Sequence, residues 1–285
     1  RRDAEGRAHI DQVMGPDEYH AVVDDSAYTN VLARWNLRRA ADLVEATGSD
    51  DAEAAGWRTL ADALVDGYDH ERGIHEQFAG YWGLEPLLAM QVAPPPVAAD
   101  LVLGAERVAG YQLIKQADVV MLHHPVPAEV VPGSLAADLA YYEPRTAHGS
   151  SLSPAIYAAQ LARAHRPEDG LALFRLAARL DLDDITGTTA GGLHLATFGG
   201  VWQALADGFL GLRPAGETLG IDPCLPAAWD ALALRFRFLG HPVGVRAEAD
   251  RVEVSCRVPL AVSIAAGPVQ RCEPPGTTFP LELTP

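Results

Sequence analysis

The spacing of apolar residues changes once along this chain, near Arg213, and that change limits the folds open to it. Before it, apolar side chains recur at helical intervals. Tyr28, Val31, Leu32 and Trp35 form one stripe in a segment that opens at Ser26, suited to cap a helix start, and closes at Gly48, suited to a left-handed helix end. A second helix is expected from Asp51, carrying Trp57, Leu60, Ala61, Leu64 and Val65 and stopping at Gly67. Together they read as an antiparallel helical hairpin. The stretch from His70 to Pro96, rich in Gly, Pro and aromatic residues, reads as a long structured loop. Helical pattern is expected again in GYQLIKQADVVML, then from Ser134 to Tyr142, Ser153 to His165, Glu168 to Leu180 and Gly192 to Phe209. With about seven or eight helices and no convincing strand among them, a parallel α/β sheet is excluded, because its strands must alternate with helices.

After Arg213 the runs LALRFRFLG, PVGVRAEAD, RVEVSCRVP and LAVSIAAG alternate apolar with polar residues and are broken by Gly, Pro and Asp. This predicts a small antiparallel β-sandwich. The connector RPAGETLGIDPCLP marks the change, so two domains are expected, a helical one over residues 1–213 and a sandwich over residues 214–285.

Charge removes several functions. With 38 acidic against 22 basic residues the net charge is −16, which repels a phosphate backbone and leaves no basic stripe for nucleic acid. No run approaches the roughly 18 apolar residues of a membrane span, and the opening RRDAEGRAHI lacks an apolar signal core, so a cytoplasmic location is expected. That abrupt arginine-rich start also reads as the start of a fragment. Cys224, Cys256 and Cys272 are an odd set with no CxxC pair, which predicts reduced core thiols and neither a disulfide framework nor a metal site.

The segment Gly15-Pro16-Asp17-Glu18-Tyr19-His20 places two carboxyl groups and an imidazole on a sharp bend. Taken alone, the Asp17-Glu18 pair would serve a helix macrodipole as readily as it would supply a general acid. Lys115-Gln116 alone would be ordinary helix surface, Ser150-Ser151 an N-cap, and His194 a structural hydrogen-bonder in a glycine-rich turn.

Six blocks in order change that weighting: VMGPDEYH with AYTN, HEQFAGYW, LIKQADVVML, YYEPRTAHGSSLSP and TTAGGLHLATFGGVWQALADGFLGLR. Spread over some two hundred residues, they resemble glycoside hydrolase family 65, the phosphorylases and hydrolases of maltose, trehalose, kojibiose and related α-glucosides. The resemblance implies the C-terminal half of an (α/α)6 barrel followed by a small β-sandwich. Position by position it places Glu18 on the family's general acid and Lys115 and Gln116 on its substrate-binding pair. Ser150, Ser151 and His194 fall on its phosphate-contacting residues.

The activity so implied is inverting phosphorolysis of an α-linked glucose disaccharide to β-glucose 1-phosphate and a free sugar, with inorganic phosphate as co-substrate and no cofactor. The alternatives are a trehalase-like or kojibiosidase-like inverting hydrolase and a non-catalytic carbohydrate-binding fragment. A hydrolase needs a second carboxylate to activate water at about 6.5–9.5 Å from the acid, and Glu143 in YYEP is the residue available for it. A barrel opened midway would expose apolar faces on the helices bearing Trp35 and Trp202, and a homodimer is one assembly that covers them.

Overall fold

The computed structural model describes residues 1–48 and 51–281, which form two compact units, Arg1–Ser153 and Pro154–Pro285. In the first unit, α1 (Ala27–Thr47) begins where Ser26 Oγ accepts the Thr29 amide at 3.3 Å. It ends at Gly48, whose φ of 66° is the left-handed conformation that glycine takes without strain. Ala27 and Val31 are buried against Leu122, Val126 and Val130, which makes this stripe the core face of the helix. Trp35, on the same predicted stripe, is 40% exposed. α2 (Asp51–Ala63) stops four residues short of the expected Gly67.

Just before the predicted loop lies β1 (Tyr68–Asp69), which pairs antiparallel with β2 (Ile74–His75) inside it, and the loop also holds a 3-10 turn at Tyr81–Gly83 and α3 (Ala89–Val92). Then come α4 (Ala99–Leu103), α5 (Ala105–Val108), α6 (Val119–Leu122) and α7 (Leu135–Tyr142). The expected helix over GYQLIKQADVVML is corrected here, since only Val119–Leu122 is helical. The reason is tertiary. Ile114 donates its amide to Arg145 O at 3.0 Å and accepts from the Ala147 amide at 2.8 Å, so its backbone groups are committed to a neighbouring segment and cannot join a helical ladder.

The second unit contains α8 (Ser153–Arg163, apart from its first residue), α9 (Pro167–Arg179) and α10 (Leu195–Gln203), which runs into a π-helical turn at Ala204–Phe209. Glycine lets these helices approach closely. A Cβ on Gly208 would stand 2.7 Å from Ala159 Cα.

Strands follow: β3 (Leu212–Ala215), β4 (Thr218–Ile221), β5 (Ala231–Phe238), β6 (His241–Glu248), β7 (Arg251–Cys256), β8 (Leu260–Ile264), β9 (Val269–Cys272) and β10 (Gly276–Pro280). They form two four-stranded sheets, ordered β3-β4-β8-β9 and β10-β7-β6-β5. Leu219, Ile221 and Val262 from one sheet and Val245, Val252 and Val254 from the other share one core. The alternation that predicted strands is therefore a division between core and solvent. One feature departs from the expected antiparallel module, because β4 and β8 pair in parallel. The chain leaves β4, builds β5 to β7 in the other sheet and returns beside β4, and a connection of that length permits a parallel neighbour. A helical region thus precedes a small sheet-rich one. Among the described residues, no helix is long and apolar enough to cross a membrane.

Candidate active site

The turn from Gly15 to His20 carries the predicted acid. α1 begins only at Ala27, so Asp17 and Glu18 do not stand in the first turn of a helix, and the macrodipole reading of the pair falls. Their side chains have opposite fates. The Glu18 side chain is 51% exposed, and its Oε2 accepts an N–H from Lys115 Nζ. Asp17 is buried, and its carboxylate accepts from His20 Nδ1 at 2.6 Å, the Lys115 amide at 2.8 Å, Gln77 Nε2 at 3.0 Å and the Tyr19 amide at 3.2 Å. A buried carboxylate is tolerable when its lone pairs are used in this way. Asp17 is thus the anchor of the turn, and Glu18 is the group it presents.

Lys115 and Gln116 lie on the irregular segment before α6. Gln116 Nε2 donates to Pro16 O on the acid turn. On its other side this segment is joined to the serine turn, where the Gly149 amide donates to Lys115 O at 3.0 Å. Glu18, Lys115, Gln116 and the turn bearing Ser150 and Ser151 are therefore brought together within the first unit by short bonds. Glu143 opens the 3-10 turn Glu143–Arg145 that leads towards the serines.

The serine turn is held by His148, a buried residue at φ 49°. Its Nδ1 lies 2.9 Å from Ser153 Oγ, which accepts the Ala117 amide at 3.2 Å. The Ser153 hydroxyl proton is then available for His148 Nδ1. Burial pushes the imidazole down to about 4, so it is neutral at physiological pH. A Cβ on Gly149 would meet Val97 O at 2.7 Å and Tyr19 Oη at 3.3 Å, so the turn runs flush against its neighbours. Ser150 Oγ accepts the Leu152 amide at 3.4 Å. His194, in the second unit, precedes α10. Asp181 grips it at both ends, taking the His194 amide at 2.7 Å and lying 2.6 Å from Nδ1, and that bond holds the Asp181 carboxyl below its usual range. An imidazole held through Nδ1 presents Nε2, which here lies 3.5 Å from Thr188 Oγ1.

Among the described residues one group has the donor types of a metal site: His75, His123 and Asp138, all buried, with ligand atoms within 4.8 Å of one another. Hydrogen bonds account for the arrangement. Asp138 Oδ2 lies 2.9 Å from both His75 Nδ1 and His123 Nε2, and its Oδ1 takes the His75 amide at 2.9 Å. These bonds lock β2, the end of α6 and α7 to one another.

Two family descriptions match the sequence. The glycosyl hydrolase family 65 central catalytic domain covers residues 1–203, and the family 65 C-terminal domain covers residues 212–269. The chain belongs to glycosyl hydrolase family 65. It is 30% identical over 264 residues to a kojibiose phosphorylase of Halothermothrix orenii, covering 87% of this chain and 34% of that protein. It is 33% identical over 276 residues to a 1,2-alpha-glucosylglycerol phosphorylase of Bacillus selenitireducens, covering 88% and 36%. With an uncharacterized glycosyl hydrolase of Mycobacterium tuberculosis it shares 38% identity over 247 residues, covering 84% and 31%. The chain spans about a third of the length of these relatives. A solved structure described as a kojibiose phosphorylase candidate from the human microbiome superposes with a TM-score of 0.88 at 23% identity, over the whole of this chain and 44% of that one. At that identity the likeness is one of fold.

Within this family 65 chain, sequence reasoning missed Asp17, Gln77, Asp118, His148 and Asp181 as supports of the site. Asp17 adjoins Glu18, and His148 stands two residues before Ser150. The signal was a polar residue with no solvent-facing role, which a single sequence does not separate from an exposed one.

Proposed function

We propose that this chain is the C-terminal part of an inverting α-glucoside phosphorylase, with Glu18 as general acid. Its helices supply half of an (α/α)6 barrel, and the strands from β3 to β10 form the accompanying sandwich. The observation that carries this reading is the bond from the Gly149 amide to Lys115 O, because it couples the serine turn to the lysine that pairs with Glu18. Acid and anion donors then share one framework.

In the reaction, an oxygen of inorganic phosphate attacks the anomeric carbon as the α-linked C1–O bond breaks. Glu18 gives its proton to the departing sugar oxygen. The products are β-glucose 1-phosphate and a free sugar. Lys115 Nζ donates to the Glu18 carboxyl group, and in this reading the lysine passes to a substrate hydroxyl as the sugar binds, with the remaining N–H of the Gln116 amide, whose other donates to Pro16 O, beside it. We take Ser150 and Ser151, which precede α8, together with His194, as the donors to phosphate, because each matches one of the family's phosphate-contacting residues. Hydroxyls and an imidazole suit a phosphate oxygen. They do not suit a water that must lose a proton, since serine is a poor base.

The names of the relatives support phosphorolysis, as kojibiose and glucosylglycerol phosphorylases are among them. No cofactor is needed by this chemistry. The test is disaccharide turnover by the full-length enzyme with and without inorganic phosphate. Cleavage that proceeds equally well in its absence overturns the proposal in favour of a hydrolase.

A further inference from the structure

Asp118 follows the substrate-binding pair and has no part in the chemistry above, yet the acid turn hangs from it. Its side chain is buried, and Oδ2 accepts the Asp17 amide at 3.0 Å. It stands at the N-cap of α6, where an aspartate ordinarily satisfies the helix's own free amides, but it makes no such cap. The carboxyl group is turned towards the acid turn instead. Space for it exists because residue 15 is glycine: a Cβ there would lie 2.6 Å from Asp118 Oδ2 and 3.0 Å from Ser26 Oγ. Beyond the amide that Asp118 holds, the Asp17 carboxylate holds the amide of Lys115 at 2.8 Å. One short relay therefore touches both partners of the Glu18–Lys115 pair.

We propose that Asp118 is the positioning residue of the catalytic turn, fixing through the Asp17 amide where Glu18 stands relative to Lys115. The inference rests on Glu18 being the acid. It works with Asp118 uncharged. Two carboxyl groups this close and sealed from water do not both ionise at neutral pH. Asp17 is surrounded by N–H donors, whereas Asp118 Oδ1 has no hydrogen-bond partner among the described residues, so the proton belongs on Asp118. Burial and the Asp17 charge push it up to about 8. Among the described residues, Tyr28 on α1 and Tyr142 on α7 also feel its charge. Both phenols are pushed upward as well, so neither offers a compensating charge. When Asp118 does ionise, its repulsion of Asp17 strains the relay and the acid turn shifts.

The test is the pH profile of kcat in the full-length enzyme for wild type, D118N, D118A and E18Q. In D118N the amide oxygen of the new side chain can accept the same backbone N–H and cannot ionise. We expect D118N to lose about three- to tenfold in kcat at pH 7, since its NH2 group lacks a partner. Wild type is expected to show an alkaline limb set by the ionisation of Asp118, and in D118N that limb moves up by about one unit or more. D118A, which releases the amide, loses about a hundredfold in kcat with little change in KM for the disaccharide. An alkaline limb that is identical in D118N and wild type, or a D118A enzyme with wild-type kcat, overturns the proposal. An inactive E18Q in the same series confines that failure to Asp118, and an E18Q enzyme of wild-type activity retires both assignments.

Discussion

Replacing His148 with asparagine tests how the serine turn is held. The residue sits at φ 49°, a left-handed conformation that asparagine tolerates better than most side chains. The asparagine Oδ1 can take the place of Nδ1 in accepting from Ser153 Oγ. What the substitution removes is titration. Burial depresses the imidazole from 6.5 to about 4, so the native state binds fewer protons than the unfolded chain between those values. Stability from this group is complete above pH 6.5 and is lost as pH falls to about 4. The interval from 6.5 to about 4, at about 1.36 kcal/mol per pH unit, corresponds to about 3 kcal/mol.

The smaller asparagine leaves a void that costs about 1–2 kcal/mol at any pH. Equilibrium urea unfolding from pH 7 to pH 4 should therefore show H148N as the less stable protein at pH 7 and the more stable one near pH 4, with a crossing between. His9, raised by its bonds to Asp25 and Asp3, has the opposite sign, with stability full below its unfolded value and lost on the alkaline side. It is common to both proteins and cancels in the difference. Parallel stability curves for the two proteins would refute a neutral, buried His148.

Replacing Ser150 and Ser151 together with alanine should raise KM for phosphate by about tenfold or more while KM for the disaccharide changes little, and adding H194A should deepen the loss; both are read from initial rates. Unchanged rates without phosphate, with collapse in E143Q, would instead mark a hydrolase. Gly149→Ala puts a methyl group 2.7 Å from Val97 O and should cost about 1–3 kcal/mol by urea unfolding, with a fall in activity as the serine turn shifts. Asp138→Asn should lower the melting temperature without changing KM for phosphate, because it breaks bonds to His75 and His123 in a structural lock.

The legible parts of the fold were those governed by local rules. Ser26 and Gly48 bounded α1 as their chemistry requires, and the period-two runs became the faces of a sandwich. The segment around Lys115 was not legible, because its helical spacing was overridden by bonds to Asp17, Arg145 and Ala147 contributed from distant parts of the chain. The parallel pairing of β4 with β8 was hidden for a related reason, since alternation reports a strand's two faces and not the direction of its neighbour. At the site, motif order pointed to Glu18, Lys115 and the serines. The carboxyl groups behind them, Asp17 and Asp118, were invisible because their importance lies in burial, and a buried aspartate is spelled like an exposed one.

The central claim is that Glu18 delivers the proton while phosphate takes the glucosyl group. The direct measurement is 31P and 1H NMR of the full-length enzyme acting on an α-glucosyl disaccharide in phosphate buffer, for wild type beside E18Q. The account predicts β-glucose 1-phosphate formed in step with the free sugar, and a loss of about 10²–10⁴-fold in its rate for E18Q. Free glucose without any phosphate ester, or an E18Q enzyme that forms the ester at the wild-type rate, would contradict it.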